Sequence, residues 1–321
     1  MNDKGLVTIF GGSGFIGRHL VQQLAREGYR IRIAVRRPEL ANFLQPLGSV
    51  SQIEAVHTNI RDEHSIKEAT KGADYVVNLC GILAPKGGQT FNNIHVQGAR
   101  LIAIAAREAE AKRLVHISAL GANSESNSSY ARSKAHGEDA VLNMEPNAII
   151  LRPSVVFGPE DEFFNRFAGL MSMAPIVPVF ASKTKFQPVY VEDVARAIAA
   201  ALDGKAAPGT IYELGGPEAL TMRQIHEKIK EITGLGTGLL PLPLWIASLI
   251  ALVTSPFPFA PITRDQVKLL KQDNIPSEAA IAEHRVPEAL ISTRPQSVSA
   301  IVPQYLGRFE THRHALKRHL R

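Results

Sequence analysis

The sequence has little of what disulfides and cysteine metal clusters require. Its 321 residues include a single cysteine, Cys80, so an intrachain disulfide and a cysteine-ligated zinc cluster are excluded. The first residues lack the apolar stretch of a secretory signal and the arginine-rich amphipathic pattern of a transit peptide. We therefore expect a protein of a reducing compartment.

Charge is only mildly unbalanced, and the excess is concentrated at the end of the chain. Lysine and arginine number 36 against 30 acidic residues, a formal net charge of +6. The basic tail 308–321 is either a contact for an anionic partner or a solvated terminus. Aromatic and basic residues do not alternate as they do in a groove for single-stranded nucleic acid, and the 11 histidines are scattered. We expect neither a nucleic-acid partner nor a metal site.

Apolar segments rich in β-branched residues alternate with helical patterns through the first half of the chain. Near-continuous apolar strands are predicted at 6–10, 30–36, 75–81, 113–118 and 148–156. Strands of this kind are buried on both faces of a parallel sheet. Helical patterns between them are clearest at 16–27, 94–109 and 130–143. The repeated βα units predict an α/β protein with a Rossmann-type doubly wound parallel sheet.

The pattern changes near residue 160. Segments 191–204 and 220–234 are still helical in pattern, but proline and glycine become frequent and apolar runs become short. We therefore predict a dinucleotide-binding domain at 1–160 and a smaller, irregular C-terminal α/β subdomain at 161–307, followed by the tail.

A glycine-rich segment follows the first predicted strand and opens the first predicted helix. Its glycines satisfy Gly-x-x-Gly-x-x-Gly at 11, 14 and 17, and Gly-x-Gly-x-x-Gly at 12, 14 and 17. Glycine permits the tight turn and lets a pyrophosphate approach bare backbone, and the helix N-terminus then presents amides to the phosphates. The residues predicted to bind a dinucleotide here are Gly11, Ser13, Gly14, Phe15, Ile16 and Gly17.

Two arginines end the second predicted strand. An NAD site usually offers an acidic side chain at this place, yet no Asp or Glu occurs between Glu27 and Glu39. Arg36 and Arg37 suit the 2′-phosphate of NADP(H), which is therefore the predicted cofactor. The alternative is that both arginines simply face water.

Tyr130 and Lys134 are four residues apart, so a helix would place them on one face. A lysine ammonium beside a phenol lowers the pKa of the phenol and can hold the nicotinamide ribose. Such a tyrosine can act as an acid or base near neutrality. The alternative is an ordinary exposed helix.

These motifs resemble the short-chain dehydrogenase/reductase superfamily, in its extended or atypical branch. The shared features are the 11–17 glycine loop, Tyr130 with Lys134, and the run Leu151-Arg152-Pro153 in the last predicted strand, 148–156. The resemblance implies a serine or threonine that assists the tyrosine, and either Ser118 or Ala119 occupies that position. The branch usually has Asn where this chain has His95, so the substrate-assisting residues depart from the pattern. The cofactor contacts implied by the resemblance are Asn59, Ile60, Cys80, Gly81, Ile82, Ser118, Tyr130, Lys134, Pro153 and Val155.

Longer runs are similar to the nucleotide-binding accessory subunits of respiratory complex I, the NADH:quinone oxidoreductase. They lie at 77–83, 115–121, 157–167, 186–191 and 263–274. This resemblance implies a subunit of the peripheral arm near the membrane and the quinone region, with NADP(H) held for structure. It also implies other complex I subunits as partners and a peripheral place on the cytoplasmic face of a bacterial inner membrane.

An apolar segment occupies 239–262, and no charge occurs between Glu231 and Arg264. Prolines at both of its ends leave a helix of about 12 residues, which is too short to span a bilayer. On its own pattern this helix is expected to be buried in the smaller subdomain. The family resemblance instead favours contact with the membrane surface or a hydrophobic subunit.

Three functions remain open from the sequence. The leading hypothesis is an NADP(H)-binding accessory subunit of complex I with a mainly structural cofactor. The second is a free NADP(H)-dependent short-chain reductase or epimerase that uses Tyr130 and Lys134. The third is a sensor that reports nucleotide occupancy to a partner.

Overall fold

The computed structural model describes residues 4–254 and 262–310. The α-helices are α1 Phe15–Arg26, α2 Glu63–Thr70, α3 Ala99–Glu108, α4 Ser129–Met144, α5 Phe164–Met173, α6 Val191–Leu202, α7 Met222–Thr233, α8 Leu244–Thr254, α9 Arg264–Leu269, α10 Glu278–Ala282 and α11 Val298–Leu306. Short 3-10 segments lie at Pro38–Leu47, Pro287–Ala289 and Gly307–Phe309, and a π-helical turn at Asn92–Gly98 precedes α3.

The strands follow the same chain order. They are β1 Leu6–Phe10, β2 Arg30–Val35, β3 Ile53–His57, β4 Tyr75–Asn78, β5 Arg113–Ile117, β6 Ile149–Pro153, β7 Val156–Phe157, β8 Ile176–Phe180, β9 Lys185–Phe186, β10 Val189–Tyr190, β11 Ile211–Leu214, β12 Leu220–Thr221 and β13 Gly238–Leu242.

The first of two compact units contains a seven-stranded sheet in the order β11-β6-β5-β4-β1-β2-β3. All of its neighbouring strands are parallel, which confirms the predicted fold class. The strand order reverses between β1 and β4, and in such sheets ligands bind beyond the carboxyl ends of the strands at this point.

The units do not follow the predicted division into 1–160 and 161–307. The first unit comprises the chain up to Pro153 together with Val191–Leu214 and Ser277–Thr293. The chain returns to this unit because β11 pairs in parallel with β6, and α6 is the crossover helix before it. The sequence did not predict that Val191–Leu214 and Ser277–Thr293 belong to the first unit.

The second unit comprises Ser154–Tyr190, Gly215–Pro276 and the chain from Arg294 onward. Its strands form three small pairs, β10-β7, β12-β9 and β13-β8. The buried Asp161 carboxylate caps α5 by accepting hydrogen bonds from the amides of Phe163 (2.8 Å) and Phe164 (2.6 Å). It also accepts one from the hydroxyl of Tyr305 at 2.6 Å, which ties α11 to the start of α5. The smaller subdomain is irregular, as expected, and is organised around such caps.

The apolar segment is less buried than its own pattern predicted. On α8 only Ala247 and Ala251 are fully buried, whereas Trp245, Leu249 and Val253 are 66%, 53% and 63% exposed. The small inner residues let the helix pack closely while its large side chains point outward. The expectation that this helix is buried is therefore wrong for most of its surface. Residues 255–261 of the segment and 311–321 of the basic tail lie outside the described residues.

Across the described chain, the helices are all too short or too polar to cross a membrane. The described start of the basic tail is held locally, since Arg308 donates a hydrogen bond to Asn165 Oδ1 at 2.7 Å.

Candidate functional site

The glycine loop has the geometry that its pattern predicts. Gly11 adopts φ +81°, a left-handed conformation that favours glycine. A Cβ at Gly17 would lie 2.4 Å from the Gly12 carbonyl oxygen, so the start of α1 can approach the loop only without a side chain there. Gly14 is the N-cap of α1 and provides no side-chain cap. No side chain of the N-cap residue therefore bonds the first amides of α1. This arrangement is typical of helix N-termini that bind anions.

A cleft of about 410 Å³ opens beside this loop in the first unit. Of the predicted cofactor residues, those lining it are Gly11, Ser13, Gly14, Arg36, Arg37, Asn59, Ile60, Cys80, Gly81 and Ile82. The structure does not bring Phe15, Ile16, Gly17, Ser118, Tyr130, Lys134, Pro153 or Val155 into this lining. Gly17 contributes by packing instead, Pro153 ends β6, and Val155 lies in the second unit, where its amide donates to Asn274 Oδ1 at 3.2 Å.

The cleft also contains side chains that sequence reasoning missed. Thr58 follows β3 directly, and Arg61 lies three residues later; Gln89 comes from the loop after β4. Since β3 was not predicted, no strand end marked Thr58 in the sequence. Arg36, Arg37 and Arg61 supply positive charge, and none of the described residues that line the cleft is acidic.

Two buried hydroxyls of this unit, Thr58 Oγ1 and Ser118 Oγ, have no hydrogen-bond partner among the residues that the structure describes. Thr58 Oγ1 lies on the wall of the cleft, and Ser118 Oγ lies directly after β5. Leaving a buried hydroxyl unpaired is costly, so an orphaned hydroxyl in a cleft fits a polar ligand. The glycine loop, the three arginines and the Thr58 hydroxyl together fit a dinucleotide.

Lys134 is buried on α4, and its Nζ donates to the carbonyl oxygen of Ile117 at the end of β5 (3.2 Å). Burial lowers the pKa of Lys134 to about 8, although the nearby Glu138 carboxylate acts in the opposite direction. Lys134 Nζ also lies close to the cleft, because a Cβ at Gly81 would be 3.4 Å from it.

Tyr130 lies in the first turn of α4, one helical turn before Lys134. Burial raises the pKa of Tyr130 to about 12. In the protein alone this pKa is thus raised and not lowered as expected from the spacing to Lys134, because the fold removes the phenol from water.

His95 connects the loop after β4 to α4. From the sequence it was notable only because the superfamily branch usually has Asn at this position. It lies in the π-helical turn before α3 and is buried. Its Nε2 accepts a hydrogen bond from the Ile82 amide (3.0 Å), and its Nδ1 lies 2.8 Å from Ser133 Oγ. The ring stacks on Phe91 and meets the edge of Tyr130, with centroid distances of 5.3 and 5.6 Å.

Within the described residues, no three His, Cys, Asp or Glu side chains are grouped so that they could hold a metal ion. His116, for example, is buried and used internally, because Asn78 Nδ2 donates to its Nδ1 at 3.0 Å.

Known proteins share this fold and much of this sequence. Residues 7–215 match the NAD dependent epimerase/dehydratase family. A UDP-glucuronic acid 4-epimerase from Bacillus cereus, solved with UDP-glucuronic acid and NAD, has a TM-score of 0.71 at 19% identity, covering 94% of this chain and 99% of its own. The fold of this first unit is thus that of NAD-dependent epimerases, which supports a nicotinamide dinucleotide as the ligand of the cleft.

Two relatives are similar in sequence as well. The mitochondrial NADH dehydrogenase (ubiquinone) 1 alpha subcomplex subunit 9 of Arabidopsis thaliana is 35% identical over 289 residues, which are 86% of this chain and 72% of the relative. A protein named ceramide reductase from Caulobacter vibrioides is 36% identical over 197 residues, 61% of each chain. The chain therefore belongs to the NAD dependent epimerase/dehydratase family and, within it, to the family of the complex I alpha subcomplex subunit 9 proteins.

Proposed function

We propose that this chain is an accessory subunit of respiratory complex I that holds NADP(H) mainly as a structural ligand. The observation that carries the proposal is the 35% identity, over 86% of the chain, to a protein named as a complex I subunit. The cleft of the first unit, which fits a dinucleotide, supports the nucleotide-binding part of the proposal.

The choice of NADP(H) over NAD(H) rests on charge. Arg36 and Arg37 line the cleft at the end of β2, where an NAD site usually has an acid, and the described lining of the cleft has no carboxylate. An arginine guanidinium can bind a phosphate through two hydrogen bonds. These arginines do not disfavour NAD(H). The preference for NADP(H) therefore comes from their additional attraction to the 2′-phosphate.

The lining of the cleft supports a structural role for the nucleotide. The cleft is lined from the ends of β1, β2, β3 and β4, so a ligand there joins four strands of the sheet. A ligand that binds only the native state stabilises it by mass action. The high pKa of Tyr130 argues in the same direction, because a phenol with a pKa of about 12 stays protonated near neutrality and cannot act there as a general base.

The partners are other complex I subunits, reached through the second unit. An apolar surface is formed by Trp245, Leu249, Leu252 and Val253 on the outer face of α8. Ile176 of β8 and Leu240 of β13 are further exposed apolar side chains of the same unit. An outward-facing group of large apolar side chains of this kind suits a hydrophobic subunit or the membrane surface. We propose a peripheral position on the cytoplasmic face of a bacterial inner membrane.

Native electrophoresis of detergent-solubilised membranes tests this proposal. We expect a tagged copy of the chain to co-migrate with NADH:quinone oxidoreductase activity, and to carry NADP(H) when the nucleotide is released and weighed by mass spectrometry. A chain that never co-migrates with the activity would disprove the subunit role. Release of NAD(H) alone would disprove the cofactor assignment.

A second candidate is an NADP(H)-dependent carbonyl reductase. Ser118 Oγ is buried without a partner near Lys134, whose Nζ bonds the carbonyl of the preceding residue, Ile117. Together with Tyr130 these groups could protonate the oxygen of a carbonyl that accepts a hydride from the nicotinamide. The relative named ceramide reductase suggests a long-chain amide lipid with a ketone as the substrate class.

The two candidates differ in what Tyr130→Phe changes. For a reductase, the variant should lose NADPH oxidation in the presence of a ketone-bearing ceramide, because the proton donor is absent. For a subunit with a structural nucleotide, respiration, assembly and nucleotide retention should be unchanged. Both assays use the full chain, and the wild-type protein is the reference.

A further inference from the structure

The imidazole of His95 has both nitrogens committed to hydrogen bonds, and these bonds fix its protonation. Ser133 Oγ donates its one proton to the carbonyl oxygen of Tyr130 (2.7 Å), so it can only accept from His95 Nδ1. The Ile82 amide is a donor, so His95 Nε2 must accept from it. The ring is therefore neutral and carries its proton on Nδ1.

The surroundings of His95 favour this neutral form. Burial lowers the pKa of His95 to about 3, and the Lys134 ammonium acts in the same direction. Close packing holds the backbone of His95 against α4, since a Cβ at Gly137 would lie 2.2 Å from the His95 carbonyl oxygen. Gly81 lies against the edge of the ring that carries Nε2, where a Cβ would be 3.7 Å from that nitrogen.

These bonds connect two parts of the site that are distant in sequence. Ile82 belongs to the loop after β4 that lines the nucleotide cleft, whereas Ser133 lies on α4 between Tyr130 and Lys134. His95 is 13 residues from Ile82 and 38 residues from Ser133. Its ring also meets Tyr130 edge to face, which holds the plane of the phenol.

We propose that His95 is a positioning residue that, as the neutral Nδ1–H form, fastens the nucleotide loop at Gly81 and Ile82 to helix α4. It thereby holds the cleft wall at the distance from Tyr130 and Lys134 that a bound nicotinamide nucleotide needs. This inference rests on the nucleotide-binding part of the proposed function and is independent of whether the nucleotide turns over.

Three substitutions separate the two hydrogen bonds. His95→Gln keeps an oxygen that can accept from the Ile82 amide, His95→Asn keeps a donor directed at Ser133, and His95→Phe keeps only the ring. We expect the dissociation constant for NADPH to rise about threefold in His95→Gln, because this variant keeps the bond to Ile82 and loses the bond to Ser133. In His95→Asn and His95→Phe it should rise about tenfold, because the Ile82 amide loses its acceptor.

A buried histidine of the second unit provides the matched control. His226 donates from Nδ1 to the Met222 carbonyl oxygen (2.8 Å), packs against Phe167 and does not line the cleft. His226→Phe should lower the unfolding midpoint and leave the NADPH affinity unchanged. Weaker binding caused by general loss of stability would appear in this variant too.

Two measurements on the protein without nucleotide complete the test. Nitrogen-15 NMR of labelled histidine should show His95 protonated on Nδ1 and unchanged between pH 5 and pH 8. Exchange of the Ile82 amide should be slow in wild type and His95→Gln and fast in His95→Phe. A charged ring, the Nε2–H form, or a glutamine variant that behaves like phenylalanine would overturn the proposal.

Failure of the proposed function is recognisable separately. If the wild-type protein binds neither NADPH nor NADH, the cofactor assignment fails. The tautomer and the Ile82 exchange rates then decide alone whether His95 fastens the loop to α4.

Discussion

Arg152 on β6 forms a two-point ion pair with the buried carboxylate of Glu138 on α4. Arg152 Nε lies 2.9 Å from Oε1, and Nη2 lies 2.6 Å from Oε2. A third nitrogen, Nη1, reaches Glu213 on β11 at 3.4 Å. Since Glu138 follows Lys134 by one helical turn, this pair supports the helix that carries the candidate site.

We expect Arg152→Met to lower the free energy of unfolding by about 3 kcal/mol, because the Glu138 carboxylate would stay buried without its partner. Arg223→Met is the matched control. Arg223 pairs with Glu227 one turn along α7, but both side chains are largely exposed, so the change should be under about 0.5 kcal/mol. Urea unfolding measures both, and equal effects would contradict a buried role for the Arg152 pair.

Much of the first unit could be predicted because local pattern and tertiary structure agree there. Strand β1 was predicted at its observed ends, since all five of its residues are buried and four of them are apolar. Strand β3 was missed because it lies at the edge of the sheet, where Glu54 and His57 face solvent and interrupt the apolar run. The glycine loop and Arg36 could be identified because each is recognised from residues that are neighbours in the sequence.

The contacts that organise the candidate site could not be predicted, because they join residues far apart in the chain. Nothing in the sequence near His95 indicates that Ile82 and Ser133 are its partners. The pKa of Tyr130 depends on how much water the fold removes from the phenol, and a four-residue spacing from Lys134 contains no information about that. The exposure of α8 was missed for the same reason, since an apolar run does not tell which face is covered.

Gly17→Ala should disable the nucleotide loop. The new methyl carbon would lie 2.4 Å from the Gly12 carbonyl oxygen, so the loop and the start of α1 must move apart. We expect a stability loss of about 1–3 kcal/mol and a large loss of NADPH binding. Gly236→Ala is the control, because a Cβ there meets nothing within 4 Å. Thermal unfolding with and without NADPH measures both, and an unchanged shift on adding NADPH to Gly17→Ala would contradict the prediction.

Arg36→Ala should reduce selectivity for NADP(H). A charge-assisted hydrogen bond to phosphate contributes about 1.5–3 kcal/mol, so NADPH should bind about 10–100-fold more weakly. Binding of NADH, which lacks the 2′-phosphate, should change by less than about threefold. Titration of the nucleotide fluorescence gives both constants. If both affinities fell equally, Arg36 would not read the 2′-phosphate.

Acid should destabilise the protein partly through His116. Burial lowers the pKa of His116 from 6.5 to about 3 in the folded protein, with a smaller contribution from Lys134. Between these values the unfolded chain binds a proton that the native protein does not, so stability falls as the pH drops below 6.5. The loss is about 1.4 kcal/mol per pH unit for this group.

His116→Asn should remove that slope, since its amide oxygen can still accept from Asn78. We expect the dependence of unfolding free energy on pH, between pH 6.5 and about pH 4.5, to flatten by about 1.4 kcal/mol per unit. His284→Asn is the control, because His284 is exposed and its φ of +53° suits asparagine. An unchanged slope in His116→Asn would mean that this histidine is not neutral in the folded protein.

Trp245 is the only tryptophan in the chain and lies on the outer face of α8, so its fluorescence reports on whatever covers the apolar surface. We expect its emission to shift to shorter wavelength when the protein binds detergent-solubilised complex I subunits or lipid vesicles. Leu249→Glu, which places a charge on the same face, should weaken this binding at least tenfold, because a carboxylate loses its hydration when the face is covered. Ile281→Glu is the matched control, since Ile281 is similarly exposed but lies on α10 of the first unit. If both variants bind as wild type does, or if the emission does not shift with either partner, the apolar surface is not the contact.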